Sequence, residues 1–145
     1  MILTICSSAR FAKESQEIKK KLEENGVDAL LYPQMVSVKK KTVTAHEFHA
    51  MRKKNLTKEL LKVKKQLMDE HIAKIKNSDA ILVLNFDRPK SPGYIGGNSF
   101  LEMGIAYALG KRVFIWKRPT KALRYYEEIM AMQPIVIRED LEKIK

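Results

Sequence analysis

Residues 80–116, AILVLNFDRPKSPGYIGGNSFLEMGIAYALGKRVFIW, decide the fold that we expect for this chain. The apolar runs 81–84 and 113–116 are too short for helices and suit central strands of a parallel sheet, which are covered on both faces. Between them lie a glycine-rich loop and a helix whose first turn should carry Glu102. Ligands of such folds bind at the carboxyl ends of the strands, so we expect the loop and Glu102 to face a site.

The rest of the chain repeats this alternation of strand and helix. Short apolar or β-branched runs predict three further strands, at 2–6, 27–32 and 135–137. Apolar residues at helical spacing predict three further helices, at about 11–24, 45–76 (with a break near Asn55) and 122–132. Residues 33–44 are interpreted as an irregular basic connection. This pattern predicts an α/β fold, a single doubly wound domain over residues 1–145. Its five-stranded parallel sheet should be flavodoxin-like or Rossmann-like, with strand order 2-1-3-4-5.

The length and cysteine content limit the class of protein. A chain of 145 residues can bury roughly two-thirds of its unfolded surface, so its core needs neither a metal nor a disulfide. Cys6 is the only cysteine, which excludes an intramolecular disulfide. Since no signal-like or membrane-length apolar run occurs in the sequence, we expect a soluble cytoplasmic protein without membrane contact.

The charge is strongly positive, +11 at pH 7, and favours anionic partners. Ten lysine and arginine residues lie in the stretch from Lys39 to Lys65, against only Glu47 and Glu59. This basic stretch is typical of a solvated helix face, and it is also the one candidate surface for nucleic acid.

Polar residues follow two strands that should end at the same edge of the sheet. Backbone N–H groups at a helix start, hydroxyls and a guanidinium together make an anion site, which predicts a phosphorylated ligand. Gly96 and Gly97 allow the backbone to approach that ligand closely. The predicted substrate-binding residues are Ser7, Ser8, Arg10, Asn85, Gly96, Gly97, Asn98 and Ser99.

Several common sites are disfavoured by the motifs. No G-x-G-x-x-G follows the first strand and no G-x-x-x-x-G-K-[ST] occurs, which argues against nicotinamide cofactors and Walker-type triphosphate hydrolysis. His46 and His49 are three residues apart but lack the fuller ligand set of a zinc site. We therefore expect no cofactor and no metal.

Glu102 has two interpretations on residue pattern alone. A carboxylate at a helix N-terminus stays ionised, and it can act as a nucleophile or stabilise positive charge at an anomeric carbon. Alternatively, Ser99-x-x-Glu102 matches a capping box, in which the glutamate only accepts the N-cap N–H.

The segments IKNSDAILVLN (75–85) and YIGGNSFLEMGIAYALGKRVFIW (94–116) resemble the nucleoside 2-deoxyribosyltransferase superfamily, which includes the deoxynucleoside 5′-monophosphate N-glycosidases. The resemblance covers most of the chain. It implies the same α/β fold, cleavage or transfer at an N-glycosidic bond, and Glu102 as the nucleophile. It also implies a homo-oligomer, with Tyr125, Tyr126 and residues 130–132 as apolar interface. The family's pattern Glu-x-Gly-x-Ala-x-Ala-Leu-x-Lys is matched here by Glu102, Gly104, Ala106, Ala108, Leu109 and Lys111.

The general acid is where the sequence departs from that family. Counting eight residues back from Asp79, the position of the family's aspartate is occupied by His71, with Asp69 and Glu70 beside it. His71 can protonate a leaving base, because imidazole titrates near neutrality, or it can be a solvent-exposed residue of a long helix. Asp87, in the loop after the third strand, is a second candidate and otherwise a turn residue.

The resulting hypothesis is a retaining reaction on a nucleoside or nucleotide. Glu102 attacks C1′, His71 or Asp87 assists departure of the base, and water or another base resolves the sugar–enzyme intermediate. The alternatives are a nucleotide-binding or sensing domain without turnover, and a nucleic-acid-binding protein that uses the Lys39–Lys65 stretch.

Overall fold

The protein is built around a central parallel sheet, as shown by a computed structural model that describes residues 1–145. Along the chain, its elements are β1 (Ile2–Cys6), α1 (Ala12–Glu24), β2 (Asp28–Leu30), β3 (Met35–Val38), β4 (Lys41–Thr44), α2 (Ala45–Lys54), α3 (Lys58–Asn77), β5 (Ala80–Val83), α4 (Gly97–Ala108), β6 (Arg112–Ile115), α5 (Tyr126–Ala131) and β7 (Ile135–Val136). The sheet has the order β2-β1-β5-β6-β7, and all its pairs are parallel. Counted along the chain, this is the predicted order 2-1-3-4-5, so the predicted topology is confirmed.

Both faces of the sheet are covered, as the continuous apolar runs predicted. On one face, Leu82 and Phe114 pack with Leu22 of α1 in one apolar cluster. On the other face, Ile81 and neighbouring strand residues pack with Met103 of α4 and with residues of α3 and α5. All four residues of β5 are buried, because this strand lies between β1 and β6. The helices are therefore divided between two layers, which is the doubly wound arrangement.

The predicted irregular connection over 33–44 is wrong. This segment forms an antiparallel hairpin of β3 and β4, closed by Lys39 and Lys40 with φ of 49° and 63°. Two-residue hairpin turns favour this left-handed conformation, which usually selects Asn-Gly, and a lysine pair gives no such signal. Val36 and Val38 point inward and pack with Phe48 of α2 and with α3. The hairpin, α2 and α3 therefore share a small apolar core.

The predicted break in the long helix is confirmed, and each half begins at a threonine cap. Thr44 accepts the Glu47 N–H at 3.1 Å while Glu47 accepts the Thr44 N–H at 2.7 Å, which forms a capping box. Thr57 accepts the Leu60 N–H at 3.2 Å. At the other end of the chain, the helix predicted over 122–132 is shorter, since α5 begins at Tyr126. None of the helices combines the length and the apolar character that a bilayer span requires.

The loop between β5 and α4 is fixed by side-chain bonds to the backbone. The Asn85 amide accepts the Lys117 N–H at 2.8 Å and donates to the Lys117 carbonyl at 3.0 Å, joining the ends of β5 and β6. Asp87 accepts the Gly93 N–H at 2.7 Å, where Gly93 has a φ of 62° that favours glycine. These bonds set the direction in which the chain enters α4.

Candidate functional site

A cavity of about 370 Å³ lies at the carboxyl end of β1, between the start of α4 and the pair α2 and α3. This is the edge of the sheet where the sequence predicted a ligand site. Six of the eight predicted substrate-binding residues line the cavity: Ser7, Ser8, Gly96, Gly97, Asn98 and Ser99. Gly96 has a close neighbour, because a Cβ at this position would lie 3.0 Å from the Tyr94 hydroxyl.

The other two predicted binding residues do not line this cavity. Arg10 is exposed on a 3-10 turn, where its N–H lies 3.4 Å from the Ser8 hydroxyl. Asn85 is fully buried, and its amide is committed to the backbone of Lys117 and Gly93. The structure thus gives Asn85 a role in holding the sheet edge together.

A second cavity of about 380 Å³ also borders the Gly96–Gly97 segment. It shares Tyr94 and both glycines with the first, and its lining also includes Thr120 and Arg124. No predicted catalytic residue lines it.

Glu102 lies in the second turn of α4, not in the first as predicted. The helix begins at Gly97, so Glu102 is its sixth residue, and the N-cap Gly96 has no side-chain bond. The capping-box interpretation is therefore wrong. The Glu102 side chain is buried, and its Oε1 accepts a hydrogen bond from the Asn98 amide at 2.6 Å. Since Asn98 lines the first cavity, the carboxyl lies directly behind the cavity wall.

Burial dominates the ionisation of Glu102. Desolvation raises its pKa from 4.5 to about 7, while the Cys6 thiol, the charge of Lys64 and the Asn98 amide act in the opposite direction. The expectation that a helix N-terminus keeps this carboxylate fully ionised is wrong, because the carboxyl is too far into the helix and too dry. Near pH 7, the protonated and ionised forms of Glu102 are about equally populated.

His71 is buried beside Glu102, so its interpretation as a solvent-exposed residue is wrong. Its Nε2 lies 3.7 Å from both Glu102 Oε1 and Cys6 Sγ, and its ring lies 5.0 Å from that of Tyr32. Burial, with smaller contributions from Lys74 and Lys64, lowers its pKa to about 3, so the imidazole is neutral at pH 7. The structure brings these two predicted catalytic residues together as a contact between a carboxyl and a neutral ring.

Cys6, His71 and Glu102 place three potential metal-ligand atoms within 4.8 Å of one another. These ligand types bind zinc when the thiol and the carboxyl are deprotonated. Burial raises the pKa of the Cys6 thiol well above its ordinary value and that of Glu102 to about 7. The surroundings thus favour the protonated thiol and carboxyl, and a metal ion would have to displace both protons in order to bind here. His46 and His49 belong to no such cluster.

Asp87, the third predicted catalytic residue, is not brought to Glu102. Its carboxylate is exposed, accepts the Gly93 N–H and pairs with Lys117 Nζ at 3.2 Å. The Gly93 N–H, followed by Lys117, lowers the pKa of Asp87. Asp87 lines neither cavity, and its contacts hold the loop that precedes α4.

The sequence interpretation missed one wall of the cavity. This wall comes from the loop after β2, from α2 and from α3, and includes Tyr32, Gln34, Phe48, His49, Arg52 and Lys64. The Lys39–Lys65 stretch was interpreted as one basic surface, whereas two of its cations face the cavity. The sequence signal for this wall is the four-residue spacing of Phe48 and Arg52, which places both side chains on the same face of one helix.

Solved structures share this fold. A match to a 2-deoxyribosyltransferase from the psychrotolerant bacterium Bacillus psychrosaccharolyticus covers 99% of this chain and 90% of that one, with a TM-score of 0.61 and 13% identity. A match to a CMP N-glycosidase from Clostridium botulinum covers 99% and 98%, with a TM-score of 0.50 and 12% identity. No protein-family model and no curated protein matches the sequence. At these identities the likeness shows the fold, and the predicted resemblance is confirmed at that level.

The buried carboxyl predicts a pH-dependent effect of Glu102→Gln on stability. Because the folded-state pKa of Glu102, about 7, exceeds its ordinary 4.5, the wild type loses stability as pH rises from 4.5 through 7. Glutamine keeps the shape without the charge. We expect Glu102→Gln to be more stable than the wild type by about 3 kcal/mol at pH 8 and by less than about 1 kcal/mol at pH 5, measured by urea unfolding. The exposed Glu142→Gln is the control, and an equal gap at both pH values would contradict the assignment.

Proposed function

We propose that this protein cleaves or transfers the N-glycosidic bond of a nucleoside or nucleoside 5′-monophosphate, with Glu102 as the nucleophile. The carrying observation is a buried carboxyl with a pKa of about 7, oriented by Asn98 behind the wall of the cavity. The fold supports the proposal, because it is also that of a 2-deoxyribosyltransferase and of a CMP N-glycosidase. A single free thiol, Cys6, fits the reducing cytoplasm, where we place the activity.

The ionised form of Glu102 carries out the displacement. A carboxylate oxygen attacks C1′ of the sugar, the C1′–N bond breaks, and its electron pair leaves with the base, which takes up a proton. Attack of water, or of a second base, on the sugar ester then regenerates the carboxylate with retained configuration at C1′. The Asn98 amide holds one carboxylate oxygen, so the nucleophile is oriented before the substrate arrives.

His71 and Asp87 take different roles in this proposal. The neutral His71 ring lies 3.7 Å from Glu102 and keeps water from that side of the carboxyl, which makes it a positioning residue. Asp87 holds the loop through Gly93 and Lys117, away from the cavity. The proton for the departing base therefore comes from solvent in the cavity.

A nucleotide-binding or sensing domain is the second candidate function. The observation that favours it is the burial of Glu102, which leaves the carboxyl half protonated near pH 7 and behind Asn98. Such a domain binds the nucleotide without releasing its base. A binding measurement together with a base-release assay separates the two functions.

We further propose that two copies of the chain associate through α4 and α5. A surface groove there is lined by Leu101, Ile105 and Met132, and its accessible surface is almost entirely apolar. Leu101 in this groove is 45% exposed, and Leu109, the C-cap residue of α4, is 47% exposed. A contiguous apolar patch of this kind favours a self-complementary interface.

The nucleophile is tested by base release. Deoxynucleosides and their 5′-monophosphates are incubated with the protein, and free base is measured by chromatography. Because the amide of Glu102→Gln cannot attack C1′, we expect this variant to lose about 10³-fold or more in rate. Glu142→Gln should retain the wild-type rate, since Glu142 is exposed on the C-terminal 3-10 turn. Equally little base from wild type and Glu102→Gln would remove the enzymatic proposal, and tight binding without product would favour the sensing domain.

The rate should also depend on pH through Glu102. Attack requires the ionised carboxylate, so activity is present above a pKa of about 7 and falls as pH decreases through it. We expect kcat/KM at pH 5 to be about 1% of its alkaline plateau, since each pH unit below the pKa removes about 90% of the ionised form. The profile is measured from pH 5 to 9, with circular dichroism at each pH to show that the fold persists. A constant kcat/KM between pH 5 and 7 would exclude Glu102 as the titrating nucleophile.

The interface is tested by Leu101→Glu, which places a charge in the apolar groove. We expect the wild type to have the mass of at least two chains by light scattering and the variant to be monomeric at the same concentration. Leu61→Glu is the matched control, because Leu61 is 50% exposed on the outer face of α3. A monomeric wild type, or equal dissociation by both substitutions, would refute this interface.

A further inference from the structure

The first cavity has an unbalanced charge. Two cations line it, Arg52 and Lys64, whereas no aspartate or glutamate does. His49 also lines it, but burial, followed by the charge of Arg52, lowers the pKa of this ring and favours its neutral form. The Glu102 carboxyl lies behind Asn98 and is only half ionised near pH 7. The cavity therefore holds two half-buried cations that no carboxylate faces, whereas charges removed from water in proteins are usually paired.

Arg52 has no carboxylate partner. Its guanidinium lies 4.8 Å above the centre of the Phe48 ring, and its Nη2 lies 3.4 Å from Nδ1 of His49. Its Nε is buried and makes no hydrogen bond. Burial lowers the pKa of Arg52, as expected for a cation whose lost hydration is not replaced by a counterion.

Lys64 also lacks a carboxylate partner. Its Nζ lies 3.4 Å from the Tyr32 hydroxyl and 5.3 Å from the centre of that ring, and it forms no ion pair. Burial, followed by the charge of Arg52, lowers its pKa. The neighbouring Lys65 points to solvent and pairs with Asp69 at 2.5 Å. A lysine on the outer face of α3 thus forms a salt bridge with a carboxylate, whereas Lys64, on the face toward the cavity, does not.

We propose that Arg52 and Lys64 bind a phosphate group of the substrate, so that the protein acts on a nucleoside monophosphate in preference to the free nucleoside. A phosphate monoester carries nearly two negative charges at neutral pH, which matches the two unpaired cations. The guanidinium can donate to a phosphate oxygen through its Nη nitrogens, and the lysine supplies a point charge. This inference rests on the proposed function and specifies its substrate class.

The proposed phosphate site and the Glu102 carboxyl are close, because Lys64 lines the cavity and Glu102 lies behind Asn98, a residue of its wall. The charge of Lys64 lowers the pKa of Glu102, so the cation and the nucleophile are electrostatically coupled. A volume of about 370 Å³ accommodates one nucleotide rather than a polynucleotide chain. These two facts favour a monophosphate over a nucleic acid as the ligand of this basic group.

The test is a comparison of binding with and without the phosphate. Calorimetry on the Glu102→Gln protein, which should leave the ligand intact, is carried out with deoxynucleoside 5′-monophosphates and with the matching deoxynucleosides. We expect the monophosphates to bind at least tenfold more tightly, and Arg52→Gln or Lys64→Gln each to weaken only their binding, by about 10- to 100-fold. Inorganic phosphate should compete with the monophosphates.

Matched controls show whether binding depends on these two residues or only on the overall positive charge of the protein. Lys53→Gln and Lys62→Gln remove one positive charge each from the exposed faces of α2 and α3, and each should change binding less than twofold. Arg52→Lys keeps the charge and should recover part of the affinity, which guards against a folding defect in Arg52→Gln. Equal binding of nucleoside and monophosphate, equal losses in all four glutamine variants, or tighter binding of single-stranded DNA would each overturn the inference.

The outcome also distinguishes this inference from the proposed function. Phosphate-dependent binding that requires Arg52 and Lys64, without base release by the wild type, would support the anion site and remove the reaction. Base release that is equally fast from nucleoside and monophosphate, and unaffected by Arg52→Gln, would support the reaction and remove the anion site.

Discussion

The burial of the Glu102 carboxyl is the constraint on which the candidate site depends. In water this group would be fully ionised at neutral pH, whereas here desolvation raises its pKa to about 7. The fold tolerates this cost because Asn98 satisfies one oxygen and Met103 and Ala106 fix α4 against the sheet. Such destabilised groups are common at active sites, where stability is exchanged for reactivity.

The position of that carboxyl follows from the edge of the sheet. Asn85 joins the ends of β5 and β6, and Asp87 holds Gly93 in the turn that leads into α4. These contacts lie outside the cavity, yet they determine where the helix begins. Two of the polar residues that sequence reasoning assigned to substrate or catalysis therefore act on the backbone that presents the others.

The sheet was predictable from the sequence because central parallel strands need continuous apolar runs, as in 81–84. The burial of His71 also had a signal, since it lies on the same helical stripe as Leu67 and Ile75. The sequence contains no comparable signal for the hairpin, because Lys39 and Lys40 adopt a turn that is usually made by Asn-Gly. Cations from α2 and α3 meet in one cavity because of how the two helices pack. This packing cannot be predicted from the periodicity of either helix.

The small core shared by the hairpin, α2 and α3 gives this protein a modular construction. Val36, Val38 and Phe48 pack with Leu60 and Leu67 of α3, whereas Ile75, near the end of the same helix, packs in the layer on the sheet. Residues that select a ligand can therefore change on this accessory unit while the scaffold beneath Glu102 stays intact. Divergence in specificity would be concentrated in this appendage, and grafting a different hairpin and helix onto α3 offers a route to redesign.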